Sequence, residues 1–120
     1  MKILISASMR HHDELVPVAE TLRGLGYEVE LPDNNNPSYS KKQHIDKHLG
    51  ELTESDALLL GNVDGYIGAS TFFEAGWAFA LKKPIYVLEK FDKNSSFTED
   101  LKAIGAIELC GDWDKLEKEK

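Results

Sequence analysis

Short apolar runs alternate with helix-period segments along this whole chain, and few folds accept that pattern. Residues 2–6 form a run rich in Ile and Leu, too short for a helix and suited to a buried strand. Leu15, Val18, Ala19, Leu22 and Leu25 then recur at helical spacing, and Gly24 and Gly26 sit where that helix should stop. Residues 27–31 read as a second strand, closed by Pro32. Ile45, Leu49 and Leu52 mark a second helix, and 57–60 is a third buried strand. A glycine-containing loop, 62–69, leads into a third helix with Phe73, Gly76, Trp77, Ala80 and Leu81 on one face. Residues 84–88 and 106–109 are the fourth and fifth strands, separated by a short helix around Leu101 and Ile104. Trp113 to Leu116 forms a closing turn or helix.

Strand–helix alternation at this spacing implies right-handed crossovers and a mostly parallel five-stranded sheet covered by helices on both faces. The expected fold class is α/β, a flavodoxin- or Rossmann-like three-layer sandwich in one domain over residues 1–120. Hydrophobic residues make up 42% and charged residues 29%, the balance of a folded domain and not of a disordered chain. The formal charge, 14 − 21 = −7, opposes binding to phosphate backbones and anionic lipid, so neither nucleic acid nor membrane is an expected partner. The single cysteine, Cys110, allows no intramolecular disulfide and no cysteine-built zinc site, which suits a reducing cytoplasm. With no adjacent basic residue, its thiol is expected to be a passive core group. The apolar start is short and broken by Ser6 and Ser8, unlike a secretory signal, and no apolar run is long enough to span a bilayer. Residues 33–37 read as a loop, and the charged tail, 115–120, as a frayed helix end.

In sheets of this kind ligands bind beyond the carboxyl ends of the strands, where the strand order reverses. The loops to weigh are therefore 7–12, 32–38 and 61–70. The third carries Asn62, Gly68, Ser70 and Thr71 and opens a helix, so its free N–H groups and the helix dipole suit a phosphate or sugar hydroxyls. It lacks the Gly-Lys-Ser/Thr of a P-loop. Glu74, placed in the first turn of the third helix, has two readings. With Thr71 it has the spacing of a capping box, which spacing alone favours; alternatively it is a carboxylate at the mouth of the ligand crevice, a nucleophile or base. Ser8 and Arg10 follow the first strand, and Arg10 has the fork geometry for a phosphate. His11, His12, His44 and His48 lack a third ligand at metal spacing, so no metal is expected, and His44 and His48 read as exposed helix histidines. The aromatic set Phe72, Phe73, Trp77 and Phe79 reads as core more than as a base-stacking platform.

Over 68–85, Gly-Ala-Ser-Thr-Phe-Phe-Glu-Ala-Gly-Trp-Ala-Phe-Ala-Leu-Lys-Lys-Pro-Ile, the chain resembles the nucleoside 2-deoxyribosyltransferase family, whose run reads E-x-G-x-A-x-A-x-x-K-P-[IV]. Ser8-Met9-Arg10 looks like the phosphate-contacting Ser-x-Arg of its deoxynucleoside monophosphate N-glycosidase branch, and Ser55-Asp56-Ala57 looks like the family's Ala-Asp-Val. The resemblance implies that Glu74 attacks C1′ of a 2-deoxyribose and expels the base. A covalent intermediate then passes to water or a second base with net retention. It implies that Ser8, Arg10 and Ser70 favour a 5′-monophosphate, that no cofactor is needed, and that the protein is a homodimer or larger. Three positions depart from the family. Gly68 stands where an acidic residue often precedes the glutamate by six, His48 replaces an acid on the second helix that assists the leaving base, and Leu4 replaces a tyrosine that orients the nucleophile. His48 is then the candidate for the substitute acid. Loss of those groups also fits a module that binds and senses a nucleotide without cleaving it. An NAD-cleaving or NAD-derivative-binding domain is a third reading, with no adenine pocket evident. Flavodoxin-type electron transfer lacks the Ser/Thr-rich loop after the first strand.

Overall fold

β1 (Lys2–Ser6), α1 (His12–Gly24), β2 (Glu28–Glu30), α2 (Lys41–Glu54), β3 (Ala57–Leu60), α3 (Ala69–Ala80), β4 (Ile85–Val87), α4 (Thr98–Ala103), β5 (Ile107–Glu108) and α5 (Asp114–Lys118) follow one another in the computed structural model. It describes residues 1–32 and 38–118; the loop expected at 33–37, half of the segment between β2 and α2, and the last two residues of the charged tail lie outside them. All ten elements fall where the periodicities put them, with β2, β4 and β5 trimmed at their ends.

The sheet order is β2-β1-β3-β4-β5 with every pair parallel. Strand residues alternate between two apolar layers. Ile3, Ile5, Ala57, Leu59 and Tyr86 pack with Leu15, Ala19 and Leu22 of α1 and Leu116 of α5. Leu4, Leu58, Leu60, Ile85 and Val87 pack with Leu52 of α2, Ala75 and Ala78 of α3 and Leu101 of α4. These strands are apolar on both faces because both faces are covered. From β1 the chain moves to one side to make β2, and from β3 it moves to the other. Successive crossovers therefore diverge at the ends of β1 and β3 and open a crevice there.

Local chemistry sets the helix ends. α1 stops in a Schellman motif: Gly26 N–H donates to the Arg23 carbonyl and Tyr27 N–H to the Leu22 carbonyl, with Gly26 at φ 99°. α2 begins in a capping box, Ser40 Oγ accepting from Gln43 N–H at 3.1 Å and Gln43 Oε1 accepting from Ser40 N–H at 2.7 Å. At its far end Lys83 Nζ donates to the carbonyls of Thr53 and Ser55, so the lysine of the Lys-Pro run places a cation on the negative end of α2. Asp56 Oδ2 accepts from Lys2 N–H at 2.7 Å, locking the start of β3 to β1. Two of the three motifs that carried the family resemblance thus have structural jobs, one tying the end of α2 to the segment before β4 and the other joining β3 to β1.

Two expectations fail here. The aromatic face of α3 is not core: the buried face is Thr71, Glu74, Ala75 and Ala78, while Phe73, Trp77 and Phe79 are 54%, 39% and 55% exposed. Small residues let the helix lie close to β3 and β4, which turns Phe73, Gly76, Trp77, Ala80 and Leu81 outward as one apolar stripe. Phe72 alone of the four packs inward, stacked on Phe97 at 4.5 Å. Cys110 is also exposed, in a left-handed turn after β5 at φ 48°.

Candidate functional site

A cleft of about 600 Å³ opens at the carboxyl ends of β1 and β3, floored by β1 and walled by α2 and the first half of α3. Glu74 lies at its inner end, on the second turn of α3 and only 8% exposed. The helix starts at Gly68, so Thr71 is three residues inside it and the Thr71–Glu74 capping box does not form. Ser6 is the last residue of β1, on the same strand face as Leu4 and therefore turned toward α3. Its Oγ donates to Glu74 Oε2 at 2.7 Å, and Thr71 Oγ1 lies 3.5 Å from the same hydroxyl. From α2, His48 Nδ1 sits 3.9 Å from Glu74 Oε1. One carboxylate oxygen is thus anchored and the other faces an imidazole across the cleft.

Burial pushes the Glu74 carboxyl above the usual glutamate range, opposed by the Ser6 hydrogen bond and then by the His48 imidazole. A raised carboxyl in a concave site is a common mark of chemistry, in contrast to a cap, where backbone donors lower it. Ionised, it offers a nucleophile or a charge to set beside a developing cation; protonated, it offers an acid.

The residues expected at the ligand divide into two groups. Ser8, His48, Gly68, Ser70, Thr71 and Glu74 line the one cleft. Arg10 does not line it; its guanidinium stacks 4.0 Å over the ring of Tyr66, which does. Asn62 is buried away from the cleft. Its side chain accepts from Glu89 N–H at 2.8 Å and donates to the carbonyls of Glu89 and Lys90, joining the ends of β3 and β4. His44 and His48, expected to be exposed, are half-buried along the cleft wall. Asp46, the nearest acid to His48 in sequence, faces solvent and pairs with Lys42 at 2.6 Å. Among the described residues no group of three or more His, Cys, Asp or Glu side chains is arranged to hold a metal ion.

The sequence reading missed Ser6, Tyr66 and Lys41 as site residues. Period-two alternation from Leu4 was a usable signal for Ser6. Tyr66 gave none, because its position depends on a non-regular loop. A Cβ on Gly68 would meet Tyr66 Oη at 3.3 Å, a tight contact that the half-exposed tyrosine would have to ease.

No protein-family model and no curated protein matches the sequence. Solved structures do match its fold. The CMP N-glycosidase BcmB of Clostridium botulinum superposes with a TM-score of 0.64 at 19% identity, covering 89% of this chain and 84% of its own. A 2-deoxyribosyltransferase from Bacillus psychrosaccharolyticus gives 0.63 at 18%, covering 82% of this chain and 79% of its own. A conserved protein from Enterococcus faecalis V583 gives 0.66 at 20%, covering 86% and 72%. The chain therefore has a nucleoside 2-deoxyribosyltransferase-like fold. At these identities the likeness is one of fold.

Proposed function

We propose that this protein cleaves or transfers the N-glycosidic bond of a 2-deoxynucleoside or its 5′-monophosphate, with Glu74 as nucleophile. The observation that carries the reading is the Ser6–Glu74–His48 arrangement at the sheet's switch point: a buried carboxylate, one oxygen held at 2.7 Å and the other facing an imidazole at 3.9 Å. In the proposed first step Glu74 Oε1 forms a bond to C1′ while the C1′–N bond breaks, its electron pair leaving with the base. His48 supplies a proton to the base nitrogen. The carboxylate also stabilises the oxocarbenium character of C1′ before the bond is complete. Water or a second base then attacks C1′ and regenerates Glu74.

The hydroxyls of Ser8, Ser70 and Thr71 form the sugar and phosphate side, and Arg10, over Tyr66, swings to a 5′-phosphate at the rim. The neighbours' names add weight, since one cleaves CMP and the other transfers 2-deoxyribose. We place the protein in the cytoplasm, where nucleotides and a reduced Cys110 both belong. We also propose a homodimer, joined through the outward stripe of α3. Phe73, Trp77 and Leu81 form a ridge beside the shallow line of Gly76 and Ala80, a self-complementary surface for a two-fold contact.

The test is base release, by chromatography, from a panel of deoxynucleosides, their 5′-monophosphates and CMP, with and without a second free base. Release by wild type that is lost in Glu74→Gln, and reduced in His48→Ala, is the expected result. Unchanged cleavage in His48→Ala removes that residue as the acid. Binding with no turnover in any mixture selects the second reading, a nucleotide-sensing module, which the loss of the family's acid and tyrosine positions favours.

A further inference from the structure

Lys41, His44 and His48 recur at i, i+3 and i+7 on α2, and all three line the cleft. At this spacing they form one row running roughly 10 Å along the helix axis. His48 stands at the inner end beside Glu74 and Lys41 at the outer end, while the Tyr39 ring edges onto His44 at 5.4 Å and orients it. The α3 wall and the floor after β1 are of a different kind. Ser6, Ser8, Ser70 and Thr71 bring hydroxyls and Glu74 brings the carboxylate. Glu51, three residues past His48, also lines the cleft and lies 3.9 Å from Lys47, so the row of nitrogen-bearing side chains runs from Lys41 to His48 and faces the hydroxyls.

We infer that the Lys41–His44–His48 row is the wall against which the departing base lies, and that it selects bases carrying ring carbonyl oxygens over their amino counterparts. This rests on the glycosyl-transfer reading above, because His48 fixes which end of the cleft holds the scissile bond. A lysine ammonium has three donors and no acceptor. Toward a uracil, thymine, hypoxanthine or guanine oxygen it donates; toward the amino group of cytosine or adenine it meets another donor, and both stay unpaired. The choice also serves the chemistry. As C1′ passes from nitrogen to Glu74 Oε1, the released electron pair spreads onto the carbonyl oxygens of an oxo base. The Lys41 ammonium beside them stabilises that charge as it grows. The proton that completes the base comes from His48.

The experiment compares pairs that differ by one oxo-for-amino exchange, dUMP against dCMP and dIMP against dAMP. It reads kcat/KM on wild type and Kd by calorimetry on Glu74→Gln. The expected result is preference for the oxo member by about tenfold or more in both readouts. Lys41→Ala and His44→Ala, the latter checked by its circular dichroism, should bring the ratio toward one. Equal or reversed preference in wild type, or a ratio that neither variant changes, overturns the inference. So does a Lys41→Ala effect that is equal for both members and vanishes without the 5′-phosphate, because the lysine then reads phosphate. A binding preference without turnover would refute the glycosyl chemistry and leave the selective wall standing. Turnover without preference would do the reverse, and binding of no member would overturn the wall itself.

Discussion

Ser6→Ala tests the site through a single bond. Ser6 and Glu74 are 4% and 8% exposed, and the hydroxyl donates to the carboxylate at 2.7 Å. A buried hydrogen bond to a charged acceptor contributes about 1.5–3 kcal/mol to the charged form. At 1.36 kcal/mol per factor of ten, its loss weakens the acidity of Glu74 by roughly ten- to a hundredfold. The sign follows from burial: Glu74 already titrates above the ordinary range, and Ser6 is the larger of the two influences pulling it down. Without Ser6 the carboxyl should hold its proton to higher pH. Two readouts report this independently. In 13C-edited NMR the Glu74 side-chain carboxyl should titrate later in Ser6→Ala than in wild type. In glycosyl cleavage the acid limb of the kcat/KM profile should move upward by the same interval while the plateau falls less, because ionised Glu74 is the reactive form. An unchanged titration would refute the electrostatic account of the site. A moved titration with an unmoved acid limb would refute Glu74 as nucleophile.

Glu74→Gln should raise Tm at neutral pH by roughly 3–5 °C, the response of a domain this size to about 1 kcal/mol. Because the folded-state carboxyl is raised above its unfolded value, the native state binds the extra proton. Wild-type stability is therefore fullest below the unfolded glutamate range and declines as pH rises through the folded value, so the gain should vanish toward acid in a pH series of thermal melts. Asn62→Ala removes side-chain bonds at 2.8, 3.1 and 3.2 Å between β3 and the segment after β4 and should cost about 2–4 kcal/mol in urea unfolding while leaving the Glu74 titration in place. Trp77→Glu should turn the proposed homodimer into a monomer by light scattering at tens of micromolar protein; a wild-type monomer under those conditions refutes the α3 interface.

The fold was legible because strand and helix periods are local. Each of the five strands is a run that neighbouring chain segments must cover, and parallel order follows once helices intervene. What the period could not tell was which way α3 faces. Its aromatic stripe has a stronger hydrophobic pattern than its buried face, yet Ala75 and Ala78 win the core because the sheet demands close approach, not bulk. Periodicity weighs apolar bulk along a helix and has no access to how closely that helix must approach the sheet. Cys110 failed for a similar reason: the turn after β5 is set by the neighbouring chain path, and the thiol follows the turn.

The site was partly legible, and its illegible part explains Glu74. Spacing alone made Thr71 and Glu74 a cap, since T-x-x-E is a cap wherever a helix begins at Thr71. The helix begins earlier, at Gly68, which slides Glu74 to the second turn and onto the face that meets β1. There Leu4 and Ser6, two apart on one strand face, offer an apolar contact and then a hydroxyl. Where the resemblance implied an orienting tyrosine at Leu4, the orienting donor comes from Ser6, one strand repeat nearer the carboxyl end. Where it implied an acid at position 68, Tyr66 packs close against Gly68 and carries the Arg10 guanidinium over its ring. Each departure has a physical substitute within the same cleft. Across the cleft His48 Nδ1 faces Glu74 Oε1 at 3.9 Å, and Glu51 lines the cleft on His48's own helix. In the proposed reaction an imidazole placed there would give its proton to the leaving base, the role that His48→Ala tests.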